Sequence, residues 1–150
     1  MYHAIVERKL RAAFADLNAG RYEGIPAQFA AQHRHCMVGQ HALGGERREL
    51  GATTRWYGRL QRLLPGLRFE VDGVWVSGWP WRTRAVVAWR DRFQLPGGRE
   101  GSNRGMHEFE LRWGRVSSMT VHCDTARLQA YLAEVAAAGQ PEALAEPITG

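Results

Sequence analysis

Apolar residues recur with a helical period at the start of the chain and with a period of two through its middle. Val6, Leu10, Ala13, Phe14 and Leu17 share one helical face and Gly20 follows as a stop, so the spacing predicts a first helix over residues 3–18. Tyr22, Ile25 and Phe29 continue a helical spacing, and Pro26 suits a first turn, which predicts a short second helix ending near Ala31. A short strand from His33 to Val38 and a glycine-containing loop from Ala42 to Arg48 follow. Ala52, Trp56, Leu60 and Leu63 form the apolar face of a third helix, Glu49 to Leu64, which Pro65-Gly66 terminates.

Beyond Gly66 the period becomes that of a sheet. Leu67, Phe69 and Val71 alternate, but Val74 and Val76 continue one residue out of phase, which predicts a β-bulge near Asp72-Gly73. Trp79-Pro80-Trp81 reads as a turn, Thr83 to Phe93 as a strand, Pro96 to Asn103 as a glycine-rich hairpin and Arg104 to Trp113 as the next strand. Gly114-Arg115 turns the chain into a last strand, Val116 to Cys123. Asp124 is a good N-cap for a final helix whose face is Leu128, Leu132 and Val135 and which fades at Gly139. Residues 139–150 hold two prolines and no sustained period, so a mobile tail is expected after one domain over residues 1–138.

Composition fits a single core. With 150 residues, 45% of them hydrophobic, the chain is long enough to stabilise itself without a disulfide framework, and Cys36 and Cys123 are its only cysteines. The longest apolar run, Ala85 to Trp89, is far shorter than the ~20 residues of a membrane span. Glu7, Arg8, Lys9 and Arg11 stand where a signal peptide needs an apolar stretch, so a cytoplasmic location is expected, with no membrane partner. The formal net charge of +5 permits a polyanionic partner. However, its densest feature, Arg55, Arg59 and Arg62, reads as the solvated face of the third helix, and no helix-turn-helix, zinc-finger or aromatic RNA-binding pattern accompanies it. Nucleic acid is therefore not an expected partner.

Helices followed by a meander of strands argue for an α+β domain, in which helices cover one face of a curved antiparallel sheet and close it into a cone. Leu17-Asn18-Ala19-Gly20 followed by Gly24-Ile25 and Phe29-Ala30, the segment from Tyr57 to Leu67, and Gly114-Arg115-Val116 leading to Asp124 and Leu128 together resemble the SnoaL-like branch of the nuclear transport factor 2-like superfamily, over residues 3–136. The resemblance implies a cone-shaped pocket and a fold that serves isomerases, epoxide hydrolases, polyketide cyclases, dehydratases and non-catalytic binding or dimerisation modules alike. It also implies departures. Ala13 and Met37 stand where the isomerase pattern has its tyrosine and aspartate. Trp89, Asp91 and Val121 stand where the epoxide hydrolase pattern has Arg, Asp and Asp, so only Asp91 is kept. The cyclase aspartate on the last strand is also replaced by Val121, although a strand histidine is matched by His107.

Strand alternation puts Ala85, Val87, Trp89, Asp91 and Phe93, and then His107, Phe109 and Leu111, on the pocket face. With the hairpin centred near Arg99, Asp91 falls opposite or diagonal to His107, an acid–base pair suited to cofactor-independent proton transfer. A purely structural hydrogen bond, or a register that turns Asp91 to solvent, is the alternative. Met37, Trp56, Trp89, Phe109, Met119, Val121 and Cys123 would line the pocket and suit a hydrophobic small molecule; each also fits plain core packing. His33-Arg34-His35-Cys36 carries metal-ligand chemistry, but His33 and His35 share one strand face while Cys36 points to the other, so no metal is expected. Two tryptophans in the Trp79-Pro80-Trp81 turn are hard to hide in a monomer and suggest a lid or a homodimer contact.

Overall fold

Val6, Leu10, Phe14 and Leu17 form the buried stripe of α1 (Tyr2–Asn18), as their spacing predicts, in the computed structural model, which describes residues 1–150. The chain then departs from the sequence reading. Instead of a second helix there is one 3-10 turn, Pro26–Gln28, and Phe29 is already extended as the first residue of β1 (Phe29–Met37). Tyr22, Ile25 and Phe29 are all buried; an irregular segment lining the core meets the same spacing as a helix would, and Gly24 weakens the helical option. The expected loop at Ala42 to Arg48 contains β2 (Gly45–Arg47), which pairs with β1. α2 (Leu50–Leu63) follows and buries Ala52, Trp56, Leu60 and Leu63.

β3 (Arg68–Trp79), β4 (Arg82–Gln94), β5 (Glu100–Arg112) and β6 (Arg115–Cys123) form the meander, and α3 (Thr125–Ala137) starts at Asp124, whose side chain accepts from the Arg127 amide at 3.0 Å. The strands form one curved, unclosed sheet of order β2-β1-β6-β5-β4-β3. It is mixed: β1 lies parallel to β6, and the other pairs are antiparallel. The predicted bulge is present, because the β3–β4 register shifts between Val71 and Gly73. A bulge there lets Phe69 and Val71 on one side and Val74 and Val76 on the other all turn toward the core, and it bends the strand. β3 is an edge strand, and α1 covers part of it: the Asn18 amide donates to the Phe69 carbonyl (2.8 Å) while its oxygen accepts from the Phe69 N–H (2.6 Å).

The segment expected to be a mobile tail is tied to the body. Glu142 accepts from Arg59 and Arg62 of α2, the Ile148 carbonyl accepts from buried Arg47, the Gly150 carbonyl accepts from the Glu49 N–H, and Ala143 is buried. Two of the three arginines read as a solvated face thus hold this segment.

Candidate functional site

The inner face of β4 carries Ala85, Val87, Trp89, Asp91 and Phe93, all buried, as alternation predicts, and β5 contributes Asn103, His107, Phe109 and Leu111. The register between the strands differs from expectation. Asp91 lies opposite Asn103, and His107 opposite Val87, so Asp91 and His107 stand four positions apart along the hairpin, about 13 Å, and form no pair. The cause is the turn: Gly97 and Gly98 both have φ of +82°, which centres the hairpin on Pro96-Gly97-Gly98 instead of Arg99. A displacement of two residues in the centre moves each partner by four. The Pro-Gly-Gly triplet was the available signal, since consecutive glycines accept the left-handed region that a tight connection needs.

His107 has a different partner. The Trp89 indole Nε1–H donates to His107 Nδ1 at 2.8 Å, and the ring packs against Phe14, Phe69 and Phe109. Indole only donates, so Nδ1 is the unprotonated nitrogen and the neutral ring carries its proton on Nε2. Burial holds His107 down to about 3, neutral throughout the physiological range.

Asp91 is only 7% exposed, and its Oδ1 has no hydrogen-bond partner. Burial pushes its carboxyl up to about 6, against the opposing pull of the Asn103 backbone and the Arg127 guanidinium. It borders an opening of about 1130 Å³ at the β4–β5 hairpin end, where Asn18, Phe69, Phe93, Asn103, Asp124 and Arg127 also form the wall. This wall is mostly polar. Around it Asn103 is locked by bonds to Asp124 N and O, and Arg127 is held on the Ser102 carbonyl, the Ser102 hydroxyl and the Tyr131 hydroxyl.

None of the seven residues expected to line an apolar pocket borders this opening. Met37, Trp56, Trp89, Phe109, Met119 and Val121 interlock within the main core, and Cys123 packs against it with its thiol pushed up to about 12 by burial. Phe109 also borders a second depression of about 470 Å³, shared with Trp75, Val86 and Glu108. Sequence reasoning missed Arg127, Asn103 and Asn18 at the opening: Asn18 and Arg127 are polar residues near helix ends, and Asn103 fell within the segment read as the hairpin.

The His33 to Cys36 segment holds a polar cluster. His33 Nδ1 bonds the Ala30 carbonyl and Nε2 the Thr53 hydroxyl, both at 2.7 Å. Arg47, fully buried, donates to His35 Nδ1 (2.9 Å) and to the carbonyls of Gly44, Gly45 and Ile148, and its guanidinium lies over Trp56. No group of three or more His, Cys, Asp or Glu side chains is arranged to hold a metal ion.

A model of the SnoaL-like domain matches residues 10–119. The chain belongs to the SnoaL-like family. Among solved structures, a nuclear transport factor 2-like protein of unknown function from Burkholderia pseudomallei superposes with a TM-score of 0.74 at 19% identity, over 84% of this chain and 95% of that one. TerC, co-crystallised with polyporic acid, gives 0.70 at 17% identity over 84% and 96%. A chain described as a SnoaL-like polyketide cyclase from Jannaschia gives 0.69 at 16% over 93% and 95%. At these identities the likeness fixes the nuclear transport factor 2-like fold of this SnoaL-like chain. No curated protein matches the sequence. No helix is long and apolar enough to cross a membrane.

Proposed function

We propose that this SnoaL-like protein binds a small molecule in the opening beside Asp91 and transfers a proton with that carboxyl, in a cofactor-independent isomerisation, cyclisation or dehydration. One observation carries the reading: Asp91 borders an open cavity while one oxygen of its carboxyl is buried without a partner. An unpaired buried acceptor costs free energy, and a substrate that donates to it or surrenders a proton to it removes that cost. With its acidity held near 6, Asp91 is mostly ionised at neutral pH yet basic enough to take a proton from carbon and return it elsewhere. Phe69 and Phe93 meet the apolar part of the ligand, and Trp89, packed on Phe69, stands behind them. His107 serves as a positioning residue: it orients the Trp89 indole and supplies no base of its own. A small molecule on a structural neighbour, polyporic acid on TerC, supports ligand binding by this fold.

The test is α-proton exchange of 2-tetralone in deuterated buffer, followed by NMR. The expected result is acceleration by the wild-type protein with a rate that rises through pH 6, and a loss of about 10²-fold or more in Asp91→Asn. Equal exchange by the two proteins would remove Asp91 from the chemistry. The outer face of the sheet, where Trp75 and Met106 stand exposed, supports a homodimer, checked by sedimentation equilibrium. Two free cysteines fit a cytoplasmic, reducing location.

A further inference from the structure

Two of the six tryptophans are buried and four exposed, Trp75 on the outer face of the sheet and the other three elsewhere. Trp56 Nε1 donates to the Leu43 carbonyl and Trp89 Nε1 to His107, whereas the indoles of Trp79, Trp81 and Trp113 have no protein acceptor and are 65%, 56% and 74% exposed. These three are gathered at one end of the molecule. Trp79 and Trp81 flank the β3–β4 turn and stack with ring centroids 5.8 Å apart, and Trp113, in the β5–β6 turn, lies 6.4 Å from Trp81. Because Thr83 pairs with Leu111, the two turns are neighbours, and the Trp113 N–H bonds the Pro80 carbonyl at 2.7 Å, joining them into one protruding tip. Trp113 adopts φ of +51°, an uncommon conformation for a residue other than glycine, in the course of being presented there.

The surroundings of this tip are cationic. Arg82 and Arg112 flank it, Arg115, whose guanidinium also donates to the Ala27 carbonyl at 3.3 Å, closes the second turn, and the Lys9 ammonium sits on the Gly114 carbonyl. Glu110 is shared between Arg82 and Arg112. A tip of exposed amphipathic indoles ringed by cations matches the headgroup layer of a bilayer, where Trp is favoured and basic residues meet lipid phosphates.

We propose that this end of the molecule docks peripherally on an anionic lipid surface, with Trp79, Trp81 and Trp113 entering the headgroup layer and Lys9, Arg82, Arg112 and Arg115 facing the phosphates. This departs from the sequence expectation of no membrane partner, which rested on the lack of a spanning segment and of a signal peptide. β4 runs from Arg82 at the tip to Asp91, about 30 Å, so a docked molecule keeps its opening in water. The surface and the ligand site stand independently.

Co-sedimentation of the full chain with phosphatidylcholine vesicles, alone and with about 30% phosphatidylglycerol, tests this. The expected result is binding to the anionic vesicles, a blue shift of tryptophan emission and loss of binding at high salt. Arg112→Gln and Arg115→Gln should each weaken it about fivefold, and Trp79→Ser/Trp81→Ser/Trp113→Ser should abolish it while leaving the far-ultraviolet circular dichroism unchanged. No vesicle binding by the wild-type protein, equal binding to both vesicle types, or full binding by the triple variant would overturn the proposal. So would a wild-type dimer that the triple variant makes monomeric without any change in vesicle binding, which would assign the tip to contact between copies.

Discussion

Asp91 is held against its own ionisation. Its carboxyl titrates near 6 in the folded chain and near 3.8 in the unfolded one, so the folded state binds its proton more tightly. That contribution is fully present below about pH 4 and is lost as pH rises through 6. Asp91→Asn should therefore raise stability by about 2–3 kcal/mol at pH 8 and leave it nearly unchanged at pH 4, as denaturant melts at the two pH values would show. A gain in stability with loss of exchange activity is the signature of a group retained for chemistry. Trp89→Phe removes the only donor to His107 Nδ1 and should cost about 1–3 kcal/mol, and nitrogen NMR should find the ring no longer fixed with its proton on Nε2. At this scale the sequence was half legible. Alternation alone put Asp91 and His107 on the inner face, while their pairing depended on a turn centre set by two glycine dihedral angles.

Elements announced by long periodic runs were the readable ones. α1, α2, β4 and the bulge in β3 follow from apolar spacing, because each buries one continuous face against the core. β2 is only three residues long and offers no period, and it exists because β1 presents an edge for it to pair with. The start of β1 was missed for a similar reason: pairing with β6, more than 80 residues away in sequence, decides it. Close strand contact makes one glycine critical. A Cβ at Gly105 would lie 1.9 Å from the His122 carbonyl oxygen of the adjacent strand, so Gly105→Ala should destabilise the protein by about 3 kcal/mol or more, measured by thermal melting. Gly97, whose Cβ would meet nothing, tests backbone conformation alone: Gly97→Ala should cost about 1 kcal/mol through its positive φ.

Across the whole molecule, acid acts on buried imidazoles. His107 and His35 are both kept neutral by burial, His35 further by the nearby Arg47, so their folded pKa values lie below the unfolded one. The stability this provides is present above about pH 6.5 and is lost in acid, for His107 as pH falls toward 3. Glu142 works in the same pH direction: Arg62 and Arg59 hold it down to about 2, which favours the folded state until acid protonates it. Glu142→Gln should release residues 140–150 from α2, costing about 1–2 kcal/mol at pH 7 and almost nothing at pH 2, with faster amide exchange confined to that segment. The extension of the meander by β1 was outside what local pattern can show, since parallel pairing of β1 with β6 joins residues 29–37 to residues 116–121. That pairing also sets a timetable. As the chain leaves the ribosome, β1 emerges early but has no partner until some 80 residues more have been made, so its apolar face waits, and a chaperone or the growing meander must shelter it. The refolding rate should accordingly be limited by this last docking step, and slow for a protein of this size.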